Sequence, residues 1–169
     1  MSFDRHWPVL LELVRAPIAA APMFGFVAGL LEEAIGSKLT TATIFDVAGM
    51  RLRRVYTENG EAYPVGGYKP IPANKWTDTL IGRHEVYTAL TIEAIAEDFF
   101  DWQLIHSLGC ESIANLPIVV GGQTIGAFNL LHDAGYYTAE RLARLPEILP
   151  FATLTYLTLL QSDRSTTPS

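Results

Sequence analysis

The feature that most constrains the fold is a pair of apolar segments separated by Gly121 and Gly122. The two segments, Ser112–Val120 and Gln123–His132, are rich in aliphatic and β-branched side chains. Two glycines between such segments are typical of a two-residue hairpin, because both turn positions need a positive φ. The chain is therefore predicted to build an antiparallel sheet around this hairpin.

Three further segments have the composition of strands. Thr40–Asp46 and Arg51–Glu58 are separated by a short turn and predict a second hairpin. His84–Leu90 predicts a short strand. Between them, Asn59–Ala73 carries six glycine and proline residues. This segment is predicted to be a long irregular loop, of the kind that often forms a functional lid.

Five segments have helical periodicity or helix-capping residues. In chain order they are a helix that Asp4 caps and Pro17 ends, Pro22–Ile35, Trp76–Ile81, Thr91–Leu108, and a final helix from Thr138 to Leu160. Pro146 and Pro150 are expected to bend, break or restart the final helix, because proline lacks the N–H that a helix interior requires.

Hairpins mixed with helices favour an α+β fold with an antiparallel sheet over a doubly wound parallel sheet. The 169 residues show no repeat and no linker, which predicts one domain over residues 1–161. Within it, residues 1–29 are predicted to form N-terminal helices, and residues 30–160 the core and the C-terminal helix. The polar stretch 162–169 is predicted to be a disordered tail.

The charge pattern argues against direct nucleic-acid binding. The net charge is −6, and no basic cluster is longer than Arg51, Arg53 and Arg54, whereas neutralising phosphates needs a concentrated basic surface. The start of the chain lacks a clean signal peptide. The apolar stretch Pro8–Leu31 is interrupted by charges and prolines, so no membrane span is expected.

Cysteine and histidine usage limits the chemistry. The one cysteine, Cys110, rules out an intramolecular disulfide framework and a multi-cysteine zinc site, and it fits a cytoplasmic, reducing location. The four histidines lack metal-binding spacing, so no metal site is expected.

The order of these segments, and the residues within them, resemble a GAF domain. The matching pieces are TTATIFD, RVYTENGEAYPVGGYKP and LGCESIANLPIVVGGQTIGAFNLL, followed by Tyr137–Glu140, and the resemblance spans Leu30–Leu160. It implies a central antiparallel GAF/PAS-like sheet with the terminal helices on one face and a loop-built pocket on the other. It also implies binding of a small molecule, signalling through the terminal helices and dimerisation through them. No kinase, cyclase, phosphodiesterase or DNA-binding segment accompanies the resemblance, so a stand-alone module is expected.

Two groups of residues are candidates for the pocket. Aromatic side chains cluster around the Gly/Pro loop and the strand after it; they are Tyr63, Tyr68, Trp76 and Tyr87. They either line a pocket or pin the loop by ordinary packing. The second group is Asn115 and Asn129, polar amides inside apolar strands. Counting back from a two-residue turn puts Asn115 opposite Phe128 and Asn129 opposite Ala114, so the two amides are predicted to lie on opposite faces, with at most one facing the pocket.

Cys110 has a structural and a chemical interpretation. It follows the predicted end of a helix and precedes Glu111, and both settings raise the pKa of a thiol, which favours a structural role. The free methionine sulfoxide reductases, a branch of the GAF family, use more than one cysteine to form and resolve a disulfide. Bilin-binding GAF domains attach their chromophore to one cysteine, but their Asp-Ile-Pro motif is absent here.

The sequence therefore predicts a non-catalytic, cytoplasmic GAF-type module that binds an unidentified small molecule. The final helix is apolar over most of its circumference, so a homodimer through the terminal helices is also predicted. The alternatives are a small redox enzyme that uses Cys110, and an interaction or dimerisation module with a vestigial pocket.

Overall fold

The computed structural model describes residues 3–17 and 20–166. A 3₁₀ turn at Phe3–His6 precedes seven helices in this part of the chain: α1 Trp7–Arg15, α2 Ala20–Ala34, α3 Lys75–Thr77, α4 Ile92–Asp98, α5 Trp102–Ser107, α6 Ala139–Leu142 and α7 Leu145–Thr166. A π-helical turn at Asp78–Gly82 follows α3. The strands are β1 Leu39–Asp46, β2 Arg51–Thr57, β3 Gly66–Pro70, β4 Tyr87–Ala89, β5 Ser112–Val120 and β6 Gln123–His132.

The six strands form one antiparallel sheet in the order β3-β2-β1-β6-β5-β4. Both predicted hairpins, β1–β2 and β5–β6, are present. Gly121 and Gly122 have φ values of 59° and 76°, the positive angles that a tight two-residue turn requires. The α+β architecture predicted from the sequence is confirmed.

Each face of the sheet carries its own core. On one face, α1, α2 and α7 share one core with β1, β5 and β6, and this core includes Leu10, Phe24 and Phe151. On the other face, α3, α4, α5 and the long connection after β2 cover the sheet through residues such as Trp76 and Ile105. The terminal helices and the loops therefore lie on opposite faces, as predicted.

Tyr156 of α7 fixes the helical layer to the sheet. Its ring is fully buried, and its hydroxyl lies 2.9 Å from the carbonyl oxygen of Thr43 and 2.8 Å from that of Ala127. These carbonyls belong to the neighbouring strands β1 and β6. Gly126 makes room for the ring, since a Cβ atom at that position would lie 2.2 Å from Cε1 of Tyr156.

The prediction of a single helix over Thr91–Leu108 is wrong, because this segment forms two helices, α4 and α5. Thr91 caps α4 as expected, its Oγ1 accepting from the N–H of Ala94 at 3.2 Å. Phe99 then adopts an extended conformation, with φ −121° and ψ 116°. Its ring packs edge-on against Trp76 and Tyr87. Tertiary packing of this aromatic ring overrides the local helix preference.

The segment predicted to be an irregular loop, Asn59–Ala73, contains the edge strand β3. β3 pairs with β2 from Arg51 opposite Pro70 to Arg54 opposite Gly66. Sequence patterning missed it because glycine and proline are depleted in strands, and an edge strand tolerates both.

The predicted strand His84–Leu90 is shorter than expected, since only Tyr87–Ala89 pair with β5. His84 has a φ of 58°, and the N–H of Glu85 donates to the carbonyl of Thr79 at 3.0 Å. The backbone before Tyr87 is therefore bonded to the π-helical turn and not to the sheet.

The N-terminal helix differs from prediction at its start, whereas the restart expected near Pro146 in the final helix is confirmed. His6, and not Asp4, occupies the N-cap position of α1, where its side chain makes no capping hydrogen bond, and Asp4 lies within the preceding 3₁₀ turn. The final helix restarts at Leu145, which places Pro146 in its first turn, where no N–H partner is required, while Pro150 lies inside it.

The prediction of a disordered tail over 162–169 is wrong for residues 162–166, because these residues continue α7. Ser162 and Ser165 donate hydrogen bonds to carbonyls four residues earlier, and Asp163 pairs with Arg53 at 2.8 Å. Residues 167–169 lie outside the described residues. Within residues 3–17 and 20–166, no helix is both long and apolar enough to cross a membrane.

Candidate functional site

A cavity of about 390 Å³ lies between the sheet and the loops on the face away from the terminal helices. Its size is within the range of small-molecule sites. Most of its wall is apolar or aromatic, and the apolar lining residues are Leu52, Tyr63, Pro70, Pro72, Trp76, Phe99, Phe100, Ile105, Ile113 and Leu131. The polar ones are Thr41, Thr43, Arg54, Lys69, Asp98, Asp101, Asn115 and Asn129.

A chain of side-chain hydrogen bonds runs across the floor of the cavity. Nε1 of Trp76 donates to Oδ1 of Asn115 at 3.1 Å, and Nδ2 of Asn115 donates to Oδ1 of Asn129 at 2.6 Å. Nδ2 of Asn129 then donates to Oγ1 of Thr41 at 3.1 Å. The direction of the chain is fixed, because an indole N–H only donates and so sets the orientation of each amide after it.

The two asparagines lie on the same face, which corrects the prediction that they face opposite ways. Asn115 is directly opposite Asn129 in the β5–β6 ladder, and the register shifts between Ile118 and Val119. The shift leaves Ile125 as an extra residue on β6, which is a β-bulge. One extra residue reverses the face of every side chain beyond it.

Arg54 occupies the β2 wall of the cavity. Its guanidinium lies 4.6 Å from the centre of the Tyr63 ring, and its Nη1 is 3.4 Å from the carbonyl oxygen of Pro64. Burial lowers the pKa of Arg54, while the nearby Tyr63 and Asp101 act in the opposite direction. A guanidinium cation that is partly removed from water is stabilised when an anion comes close to it.

Acidic and aromatic groups form the opposite wall, at the junction of α4 and α5. The hydroxyl of Tyr87 donates to Oδ2 of Asp98 at 2.8 Å, which fixes that carboxylate. Asp101 lies three residues further on, directly before α5. Between them, Phe100 is 87% exposed and lines the cavity. The break between the two helices, caused by Phe99, is what places these groups at the cavity.

Four of the six predicted site residues line the cavity: Tyr63, Trp76, Asn115 and Asn129. Tyr68 does not, because it is 54% exposed on β3, where the guanidinium of Arg51 lies over its ring. Tyr87 is buried behind the wall and acts on it through Asp98. Sequence reasoning missed Arg54 as a lining residue and treated it only as part of a short basic cluster. In the structure β2 has a bulge at Val55, directly after Arg54.

Cys110 is buried at the end of α5 and is absent from the lining of the cavity. Burial raises the pKa of its thiol, and the positive charge of Lys38 offsets only part of this effect. Nζ of Lys38 is held by the carbonyl of Gly109 and by the carboxylate of Asp133. The surroundings of the thiol are those of an unreactive cysteine. In the part of the chain that the structure describes, no group of three or more His, Cys, Asp or Glu side chains is placed to hold a metal ion.

We expect the thiol of Cys110 to react with a disulfide reagent such as DTNB about a hundredfold or more slowly in the native protein than in the guanidinium-unfolded chain at the same pH. The reason is that the folded chain must open before the reagent reaches the sulfur. Absorbance at the thionitrobenzoate band measures the rate. Rapid stoichiometric labelling of the native protein would contradict the buried setting.

These features define the fold as that of a GAF domain. Among solved structures, the GAF domain of a two-component sensor histidine kinase from Bacillus halodurans matches with a TM-score of 0.67 at 12% identity, covering 84% of this chain and 96% of that one. A GAF domain/HD domain protein from Geobacter sulfurreducens matches with a TM-score of 0.68 at 12% identity, covering 89% and 98%.

A free methionine-R-sulfoxide reductase from Neisseria meningitidis, solved in complex with its substrate, has the same fold, with a TM-score of 0.57 at 14% identity and 96% coverage of both chains. No family model matches the sequence, and no curated protein matches it. The likeness in structure therefore shows the fold, which this chain shares with domains of sensor proteins.

Proposed function

We propose that this protein is a non-catalytic sensory or regulatory module that binds a small organic molecule in the cavity between the sheet and the loops. The observation that carries the proposal is the combination of a largely apolar cavity with the hydrogen-bonded chain from Trp76 to Thr41 on its floor. A few fixed polar groups in an apolar cavity are what orient a small ligand. The free thiol of Cys110 supports a cytoplasmic location.

The side chains around the cavity support binding over catalysis. The lining contains neither histidine nor cysteine, and the hydroxyls that it contains are those of Thr41, Thr43 and Tyr63. A hydroxyl nucleophile needs an adjacent general base, and the one contact that Oγ1 of Thr41 receives is from an amide. Cys110 is buried elsewhere with a raised pKa, so the redox alternative gains no support from its surroundings.

Ligand-observed and protein-observed NMR with a library of small organic fragments tests the proposal. The indole N–H of Trp76 reports on the cavity directly, because it donates to Asn115 on the floor, and Trp76→Phe identifies its resonance. The indole of Trp7 is the internal control, since it stacks on Phe151 in the helical layer at 4.1 Å. Fragments that shift the Trp76 signal alone support the proposal, whereas a library that leaves it unmoved counts against it.

We also propose that the module is a homodimer through its terminal helices. Three large apolar side chains remain exposed on these helices: Val9 at 45%, Leu11 at 46% and Leu157 at 41%. Covering such a surface with a second copy removes apolar area from water. The same helix α7 carries Tyr156, whose hydroxyl is bonded to the sheet. In a dimer of this kind, the helix at the interface is therefore also attached to the sheet.

Leu157→Glu is expected to convert the dimer into a monomer, because it places a charge within the apolar contact. Size-exclusion chromatography with light scattering at micromolar concentrations measures the mass. The control is Val65→Glu, which changes an exposed apolar residue in the loop before β3 and is expected to leave the dimer intact. A wild-type monomer across this concentration range would contradict the proposal.

A further inference from the structure

We propose that the molecule bound in the cavity carries a carboxylate, and that Arg54 is the residue that recognises it. This inference rests on the proposed function, since it names the chemical class of the ligand for the same cavity.

Arg54 carries the one buried side-chain nitrogen or oxygen that has no hydrogen-bond partner among the described residues, its Nε. Buried polar atoms in folded proteins nearly always have partners, so each exception calls for a reason. The two other arginines of β2 each form an ion pair with a carboxylate. Arg51 pairs with Asp46 at 2.7 Å and Arg53 with Asp163 at 2.8 Å. No carboxylate of the described residues lies within ion-pair distance of Arg54.

The position of the guanidinium leaves its two-donor edge unused. One face is covered by the ring of Tyr63, and Nη1 is directed to the carbonyl of Pro64. The remaining edge carries the N–H of Nε, which is buried, and an N–H of Nη2, and neither is bonded to a described residue. Two parallel N–H donors in this arrangement match the two oxygens of a carboxylate, which is the strongest common pairing of arginine.

The acidic residues of the cavity do not fill this role. Asp98 is held by the hydroxyl of Tyr87. Asp101 is close enough to raise the pKa of Arg54 but forms no ion pair with it. Burial lowers the pKa of Arg54, so the folded protein holds a partly desolvated cation that forms no ion pair with a carboxylate of the described residues. A ligand carboxylate supplies both the charge and the two acceptors.

The rest of the cavity indicates what the carboxylate is attached to. Beyond Arg54 the wall is formed by the side chains of Trp76, Phe99, Ile113 and Leu131, and these favour an aromatic or aliphatic body. The structure therefore assigns the cavity to small carboxylic acids with an apolar body, bound with the acid group towards β2.

Matched pairs of acids and primary amides test this assignment, because each pair has nearly the same shape and differs in charge. Benzoate with benzamide, indole-3-acetate with indole-3-acetamide, and hexanoate with hexanamide are titrated while the Trp76 indole resonance is followed. The acid of at least one pair is expected to bind about tenfold or more tightly than its amide, since hydrogen bonds to charged groups are the stronger ones.

Arg54→Met is expected to remove this preference, weakening the acid about tenfold or more and leaving the amide nearly unchanged. Its thermal stability is expected to be equal to or higher than that of the wild type, because the substitution removes a buried atom without a partner. Arg54→Lys keeps the positive charge but lacks the two parallel N–H donors of the guanidinium, so it should retain part of the preference for the acid. Arg53→Met is the matched control, since it removes an arginine on the opposite face of the same strand and should leave the preference intact.

Each result decides between the two proposals. Amides that bind as well as their acids would overturn the assignment while supporting a small-molecule site. A preference that survives in Arg54→Met but disappears in Lys69→Met would overturn the role of Arg54. If no member of the panel moves the Trp76 signal and the fragment library also fails, the proposed function itself is contradicted.

Discussion

Gly126→Ala is expected to lower the free energy of unfolding by about 3 kcal/mol or more, a large part of the stability of a domain of this size. The added Cβ would lie 2.2 Å from Cε1 of Tyr156 and 2.5 Å from the carbonyl oxygen of Thr43. Neither neighbour is free to move, because the hydroxyl of Tyr156 is bonded to that same carbonyl and the ring is fully buried. Urea denaturation followed by circular dichroism measures the change.

Gly29→Ala is the matched control for this substitution. Gly29 lies on the exposed side of α2, and a Cβ atom there meets nothing within 4 Å. In a helix, alanine is favoured over glycine by about 0.5–1 kcal/mol, so the control should be slightly more stable than the wild type. A Gly126→Ala protein as stable as the wild type would show that α7 does not pack on β6 as described.

Asn115→Leu is expected to cost about 2–4 kcal/mol of stability, because it leaves two polar atoms on the cavity floor without partners. These are Nε1 of Trp76 and Oδ1 of Asn129. Thr41→Val, at the far end of the chain, removes one acceptor and should cost less. Thermal or urea denaturation of the two variants gives the comparison.

The double variant Asn115→Leu with Trp76→Phe separates the hydrogen bond from the packing. Trp76→Phe removes the indole N–H that Asn115→Leu leaves unpaired, so the double variant should cost less than the sum of the single ones, by about 1 kcal/mol or more. Strict additivity would mean that the two side chains do not interact, and would remove the basis for a fixed cavity floor.

Local signals predicted the two hairpins of the sheet well, although not its edge strand β3. Two positive-φ glycines fix the β5–β6 hairpin, and β-branched residues identify β1 and β2, so these elements depend on nearby sequence alone. The break between α4 and α5 depends on Phe99 packing against Trp76, residues that are far apart in the chain. A helical pattern carries no information about such a contact, which is why one helix was predicted where two exist.

The cavity was predicted less completely, for the same reason. Tyr63, Trp76, Asn115 and Asn129 were recognised as unusual in their segments, but the bulge at Ile125 that brings both amides to one face leaves no clear mark in the sequence. Arg54 looked like part of a short basic cluster. Its interest comes from the lack of a carboxylate partner among the described residues, and only the folded structure shows which charges are paired.

Native mass spectrometry of freshly purified protein tests the central claim most directly. We predict a non-covalent extra mass that leaves on denaturation and is absent from Ile113→Phe, in which a larger side chain occupies the cavity. The value of that mass begins the identification of the ligand. A bare chain in the native spectrum would contradict the claim, and so would an adduct that survives denaturation, because it would make Cys110 the point of attachment.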